Sequence, residues 1–333
     1  MLEIRARLLA ALCDTGNTAH PLPATIVVAA HPDDEVIGLG SRLAQLKQSL
    51  FLHVTDGAPR DGRDAAVNSF SVEQYAHARR TELEAALALC GIAPEQARCL
   101  GCPDQQAALR MAELALNLAD AFADARAEVV ITHPYEGGHP DHDATAFAVH
   151  AAVELLIRRG ANAPGLSHAV CLPSPGTPGE GRVRVFSRDS DEKFPSPEPS
   201  SAVPGEGARN SNSIPPAPAP AIIEMTSYHN GPTGIVSGEF LPCADCPVCT
   251  VVLNDEQRAF KRRLFECFTS QRRTLQWFPI GVERFRCAPT YDFTAPPHEG
   301  KLYYECFDWG MTGERFRKLA AEAIAKLKWE SAR

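Results

Sequence analysis

No stretch of the 333-residue sequence approaches the roughly 20 consecutive apolar residues that span a bilayer. A transmembrane anchor is therefore not expected. The N-terminal apolar run, Leu8-Leu-Ala-Ala-Leu-Cys13, is too short for a secretory core, and Glu3 stands where such a leader carries positive charge. Basic surplus is also missing. Lys and Arg number 33 against 41 Asp and Glu, a net charge of −8, so no nucleic-acid partner is expected. There is no G-x-S-x-G nucleophile elbow and no G-x-x-x-x-G-K phosphate cradle. Gly38-Leu-Gly40 follows a strand-like run but lacks the third glycine of a dinucleotide site, and the acidic loop before it would repel pyrophosphate.

The first half of the chain alternates strand and helix patterns. Thr25–Ala30, Leu50–Thr55, Arg98–Leu100 and Glu128–Thr132 read as short buried strands. Helical patterns over 38–47, 73–90, 109–122 and 143–158 separate and follow them, the last with Asp143 as N-cap. This alternation predicts an α/β fold: a Rossmann-like, mainly parallel sheet with helices on both faces and right-handed crossovers. In such sheets, sites form on loops leaving the carboxyl ends of strands.

Residues 172–220 break the pattern, holding eleven of the 27 prolines with no apolar periodicity. The stretch echoes itself around Pro173 and Pro195. It is expected to be a disordered Pro/Ser/Gly-rich insertion. The expected organisation is a catalytic core over 1–171, the insertion, and a part over 221–333 that completes the same domain. Ala221–His229 reads as a strand, and 253–268 and 314–329 as helices.

Chemistry gathers in two loops. Ala30-His-Pro-Asp-Asp-Glu35 follows the first strand, and His133-Pro-Tyr-Glu-Gly-Gly-His-Pro-Asp-His142 follows the fourth. Imidazole plus carboxylate is a natural zinc set, and a catalytic zinc takes three protein ligands. His31 and Asp34 converge from the first loop, and His142 joins them from the second. Asp33 is then free to act as general base. His139 faces the developing oxyanion, and if protonated it stabilises it. Asp141 is expected to orient His139 and raise its pKa.

At these residues the chain resembles the PIG-L/LmbE-type N-acetylglucosaminyl deacetylase family, whose hallmarks are an Ala-His-Pro-Asp-Asp-Glu loop and a later His-Pro-Asp-His loop. The likeness is clear over about 24–160 and loose beyond. It implies zinc on His31, Asp34 and His142, Asp33 as base and His139 as oxyanion partner. The division of labour between Asp33 and Asp34 rests on it. It also implies an amidosugar substrate, with acetate released from an N-acetylglucosamine-like group. Arg79, with Arg80 as its adjacent competitor, and Asp104 are implied as substrate contacts. Cys102 stands where relatives often carry an aromatic residue.

Other readings stay open. His229 is either a substrate contact or a satisfied structural histidine. Cys243, Cys246 and Cys249, spaced C-x₂-C-x₂-C, offer three thiolates for a second structural zinc, although no second Cys-x-x-Cys exists to complete it. The 11 cysteines are expected to remain thiols or metal ligands in a reducing cytoplasm. Iron(II) is accepted by the same donor set as zinc. The alternatives to a sugar deacetylase are a zinc amidase for a larger sugar or thiol conjugate, and a non-catalytic binding scaffold.

Overall fold

The computed structural model describes residues 2–14, 22–161 and 219–329. The insertion expected to be disordered lies outside the described residues, apart from its last two positions. A seven-stranded sheet of order β3-β2-β1-β4-β5-β9-β8 organises the rest. Its strands are β1 (Thr25–Ala29), β2 (Leu50–Pro59), β3 (Ala97–Asp104), β4 (Val129–Thr132), β5 (Ala221–Met225), β8 (Cys249–Val252) and β9 (Val282–Cys287). The pairings from β3 through β5 are parallel, and β9 runs antiparallel to both β5 and β8. A separate hairpin joins β6 (Tyr228–Gly231) to β7 (Gly234–Ser237). The mainly parallel α/β sheet read from the sequence is the observed architecture.

Alternation along the strands feeds two cores. Ile26 and Val28 of β1 enter one, and Val27 enters the other. The first core is closed by α5 (Met111–Asp124), α6 (Pro140–Ala161) and α9 (Gly313–Leu327). The second is closed by α1 (Leu2–Cys13), α2 (Asp34–Leu39), α4 (Val72–Leu89) and α7 (Asp255–Glu266). The sequence period places these faces. On α5, Met111, Leu114, Ala115, Leu118, Ala119 and Phe122 are all buried, a stripe at helical spacing. Ser71 caps α4 in a reciprocal box with Gln74. The short helices α3 (Arg63–Val67) and α8 (Arg272–Leu275) lie in connections.

Several expected boundaries move, each for a local reason. The helix expected over 38–47 instead begins at Asp34, inside the first motif, and ends at Leu39. The fourth helix begins at Pro140, a residue suited to a first helical position because it lacks an N–H. Asp143 is therefore not its N-cap. Its Oδ1 instead accepts the N–H groups of Glu136 (3.2 Å) and Gly137 (3.0 Å), and so pins the loop before the helix. The run over 221–229 divides into β5 and β6 around Thr226-Ser227.

The cysteine reading is corrected by the fold. Cys249 is disulfide-bonded to Cys13, so it does not join Cys243 and Cys246 in a third-ligand role. The cause is the packing of α1 across the sheet edge that carries β8 and β9, which brings together thiols 236 residues apart. Among the described residues no cysteine belongs to a metal-competent cluster.

A buried ionic network ties the second motif loop to the C-terminal strands. Arg286 on β9 reaches Glu224 on β5 (2.7 Å) and Glu136 (3.1 Å). Tyr291 donates to Glu224 at 2.6 Å. Burial pushes Glu136 up to about 8 and Glu224 up to about 7, against the pull of Arg286. The folded state thus holds protons that an unfolded glutamate (pKa about 4.3) has released. Stability from this pair is full below the unfolded value and falls as pH rises through the folded values. Thermal melts should show Tm declining from pH 5 to 8 in the native protein, with a flatter profile in Glu136→Gln. Parallel profiles would remove Glu136 as the source.

Candidate metal centre

The first motif turns sharply off β1. Asp33 N–H and Asp34 N–H both donate to the His31 carbonyl (3.0 and 3.3 Å), and the His31 N–H donates to Asp34 Oδ2 at 2.7 Å. The turn thereby sets the His31 ring and the Asp34 carboxylate side by side. Gly57, at the end of β2, makes room for it: at φ +66°, a Cβ there would meet Pro32 Cδ at 2.8 Å. The second motif leaves β4, the strand paired beside β1. Gly138 lets it lie against the C-terminal hairpin, since a Cβ would stand 2.0 Å from the Tyr228 carbonyl oxygen.

The two loops meet at His31, Asp34 and His142, whose donor atoms lie within 4.8 Å of one another. His31 Nδ1 is 3.2 Å from His142 Nε2 and 3.2 Å from Asp34 Oδ2. His142 Nε2 is 3.2 Å from Asp34 Oδ1. The three residues expected as ligands are therefore brought together. Their outer atoms are also held. His142 Nδ1 meets Ser227 Oγ at 3.1 Å. On its far side, His31 Nε2 faces Asp104 Oδ1 (3.2 Å) and Asp141 Oδ2 (3.4 Å). An imidazole with one nitrogen inward and the other on a carboxylate is the usual outer support of a metal-bound histidine.

The electrostatics suit a cation. Burial works against the charged His31 ring, but Asp104, Asp141 and Asp34 outweigh it and hold its pKa well above the usual range. Burial likewise works against the Asp34 carboxylate, yet the adjacent His142 and His133 hold it well below its usual range. Burial pushes His142 down to about 4, which keeps its ring neutral with a lone pair for a ligand. A second group, His31, Asp104, His139 and Asp141, also lies within the same span. It suits a metal less well. Asp141 already accepts one backbone N–H on each oxygen, from Gln105 (2.6 Å) and Ala107 (3.0 Å).

Asp33 projects away from the Asp34 pair and meets Arg79, whose Nη2 lies 3.1 Å from its Oδ2. Arg79 is only 4% exposed and also donates to the Gly57 and Pro32 carbonyls. The guanidinium is thus engaged by Asp33 and the motif backbone. Arg80 is not its substitute, because it faces outward onto Glu84 at 2.6 Å. Burial pushes the Asp33 carboxyl up to about 6, against the pull of Arg79.

The expected pairing of Asp141 with His139 is also corrected. The Asp141 carboxylate is turned to His31 and the 105–107 backbone, while the Asp141 backbone N–H donates to His139 Nδ1 at 3.1 Å. That bond leaves the His139 proton on Nε2. Burial, with His31 beside it, holds His139 well below its usual pKa, so its ring is neutral rather than protonated. Asp104 is buried against His31, its Oδ1 3.2 Å from His31 Nε2.

His229 is not in either cluster. Its Nδ1 bonds the Asn230 carbonyl, and its neighbour Tyr228 takes the inward place, with its ring 5.3 Å from that of His142. Alternation on a strand puts adjacent residues on opposite sides, and nothing in a Tyr-His pair tells which faces in. Three supporting residues went unread in the sequence. His133 accepts the Ala30 N–H (3.0 Å), lies 3.3 Å from Asp34 and stacks flat on His142. Ser227 gave no signal beyond its place before Tyr228. Trp309 packs its ring 4.8 Å from that of His139.

Comparison with known proteins bears on the same segment. The family described as GlcNAc-PI de-N-acetylase, PIG-L, matches residues 26–153. No curated protein matches the chain. Among solved structures, it is similar to the N,N'-diacetylchitobiose deacetylase from Pyrococcus horikoshii, at 25% identity and a TM-score of 0.34, over 46% of this chain and 58% of that one. The chain thus spans under two thirds of that enzyme's length. It is also similar to a triple mutant of a deacetylase of the teicoplanin biosynthetic pathway, at 17% identity and TM-score 0.48, over 79% and 97%. A third is the 4-carboxy-2-hydroxymuconate hydratase of Pseudomonas putida, at 13% and 0.44, over 81% and 98%. Residues 26–153, which carry both motif loops, are a domain of the PIG-L family.

Proposed function

We propose that the chain is a metal-dependent N-deacetylase, with zinc held by His31, Asp34 and His142, that hydrolyses the acetamide of an N-acetylglucosamine-like amidosugar. The observation that carries the reading is the meeting of those three donors beside Asp33. A hydratase among the similar structures is a reminder that the fold alone does not name a reaction. Two imidazoles and one carboxylate fit zinc, and iron(II) as well. Either ion would supply Lewis acidity at the acetyl carbonyl and acidify a water at its open coordination position.

The chain's own residues do the rest. Asp33, steered by Arg79, takes the proton of the attacking water. The water oxygen bonds to the acetyl carbon and the C–N bond breaks. Asp33 returns the proton to the leaving nitrogen, so the products are acetate and an amine. His139 presents Nε2–H to the carbonyl oxygen as negative charge develops there. Asp104 and Asp141 keep His31 turned inward. Asp104→Asn should weaken metal binding by about 10- to 100-fold in a chelator competition, the scale of a lost outer partner. Unchanged affinity would remove Asp104 from the metal's support.

The reading is tested by acetate release across N-acetyl sugars before and after metal stripping. Release should cease on stripping and return with zinc or iron(II). Acetate released at the full rate by stripped protein would sink it. The cytoplasm is the proposed place of action, and the Cys13–Cys249 disulfide stands against the expectation that all the cysteines remain thiols or ligands there. Among the described residues no helix is long and apolar enough to cross a membrane.

A further inference from the structure

The segment from α7 to β9 carries charge that the fold does not use. Residues 258–280 hold six Arg and Lys against one acid, Glu266, in a chain whose net charge is −8. Asn254 caps α7 in a reciprocal box with Gln257, and the helix turns Lys261 and Leu264 inward. Lys261 is satisfied there, its Nζ 2.9 Å from Glu283 and 2.7 Å from the Ile37 carbonyl. Arg258 donates to the Leu253 carbonyl and lies 3.9 Å from Asp255. These are the only ion pairs of the segment among the described residues. Arg262, Arg263, Arg272 and Arg273 are left exposed with no carboxylate paired to them there.

Among these arginines lies a groove of about 430 Å³. Leu275 and Phe278, both buried, form its floor, with Phe265 and Ile280 half-buried at its sides. Arg262 and Arg272 line it from α7 and α8, and Glu266 is the one acid that does so. Trp277, next to Phe278 in the chain, is 63% exposed. The groove is fixed from behind. The hydroxyls of Thr269 and Ser270 donate to Glu82 on α4 at 2.7 and 2.6 Å, and Gln271 donates to the Tyr75 hydroxyl at 2.6 Å. These bonds hold the turn between α7 and α8, so a ligand need not order it. They also occupy both oxygens of Glu82, a carboxylate that the arginines do not share.

We infer that this groove docks an acidic protein segment, which seats an aromatic or aliphatic anchor on Leu275 and Phe278 and sets carboxylates against Arg262 and Arg272. Charge complementarity argues for the acid. Unpaired guanidinium groups take carboxylates through two parallel hydrogen bonds. The patch is also opposite in sign to the chain as a whole, so an acidic partner is steered to it and away from the rest of the surface. The recessed apolar floor argues for a peptide anchor, the arrangement in which a partner's side chain fills a groove. A bilayer would be met by protruding apolar side chains. Within 258–280 Trp277 alone is a large hydrophobic residue left exposed, and it serves as a flanking contact for the bound segment. None of these residues belongs to the candidate metal centre, and the site does not rest on the deacetylase reading.

The test is a selection of random linear peptides, displayed on phage, against the full native chain. Enriched peptides should carry a large apolar residue flanked by two or more Asp or Glu. Synthetic copies should bind in calorimetry, with affinity that falls as salt is raised. The double variant Arg262→Ala, Arg272→Ala should weaken them by about tenfold or more, the scale of one hydrogen bond to a charged group. Replacing the apolar anchor of a peptide by Ser should cost about tenfold as well, the scale of one side chain withdrawn from a groove. Both arginines are exposed, so the double variant should melt like the native chain, and a melting curve checks that its loss of binding is local. Enrichment of neutral or basic peptides, or acidic peptides that bind the double variant as tightly as the native chain, would overturn the proposal. Absence of any enriched peptide would overturn it too. Binding of phosphatidylserine vesicles or single-stranded RNA by the native chain and not by the double variant would then give the arginines to that partner instead.

Discussion

Asp33→Ala should retain a full equivalent of bound metal and lose about 10²- to 10⁴-fold in kcat, the range a positioned general base contributes. Metal retention follows from geometry, since Asp33 is turned to Arg79 while the donor atoms belong to its neighbours. The variant also strands a buried guanidinium, and breaking such a pair typically costs about 3–5 kcal/mol. Some loss of Tm is therefore expected alongside the loss of rate. Asp33→Asn separates the two effects, because an amide oxygen still accepts from Arg79 but cannot take a proton. Metal content, melting and kcat measured on both variants decide the matter. Turnover near the native level in the asparagine variant would remove Asp33 from the proton path.

His142→Ala should behave in the opposite way: metal is lost on dialysis and turnover falls to background, while far-ultraviolet circular dichroism is unchanged. His142 lies at the start of α6, and its ring is engaged with Asp34, His133 and Ser227 more than with the aliphatic core. Removing it deletes one of three donors and leaves the Asp34 carboxylate without a partner for Oδ1. Elemental analysis after dialysis checks this directly. A stoichiometric metal content in the variant would exclude His142 as a ligand, and with it the proposed site. The contrast between the two variants is the informative result, since His142 belongs to the candidate donor set and Asp33 does not.

The parallel half of the fold could be read because its strands and helices announce themselves by local period. Ile26 and Val28 against Val27 is a two-residue pattern, and the α5 stripe is a helical one. The candidate donor set could be read because its residues lie in two dense loops with no structural reason to be so charged. What misled was partner choice. Asp141 sits two residues from His139, and adjacency suggested a pair. The helix begins at Pro140, which points the carboxylate at His31 and the 105–107 backbone instead. That Arg79 rests on Asp33 and Asp104 on His31 could not be read either, because a sequence carries no burial.

The amino-acid order by itself determined the alternation of strand and helix and the identity of the metal-type donors, since both follow from side-chain period and from residue type within a few positions. Tertiary structure alone decided which nitrogen each histidine turns inward, that Tyr228 and not His229 faces the cluster, and that Cys249 meets Cys13. These outcomes depend on how segments tens to hundreds of residues apart come to rest against one another, and a contact made at that distance leaves no mark on the local pattern of either partner.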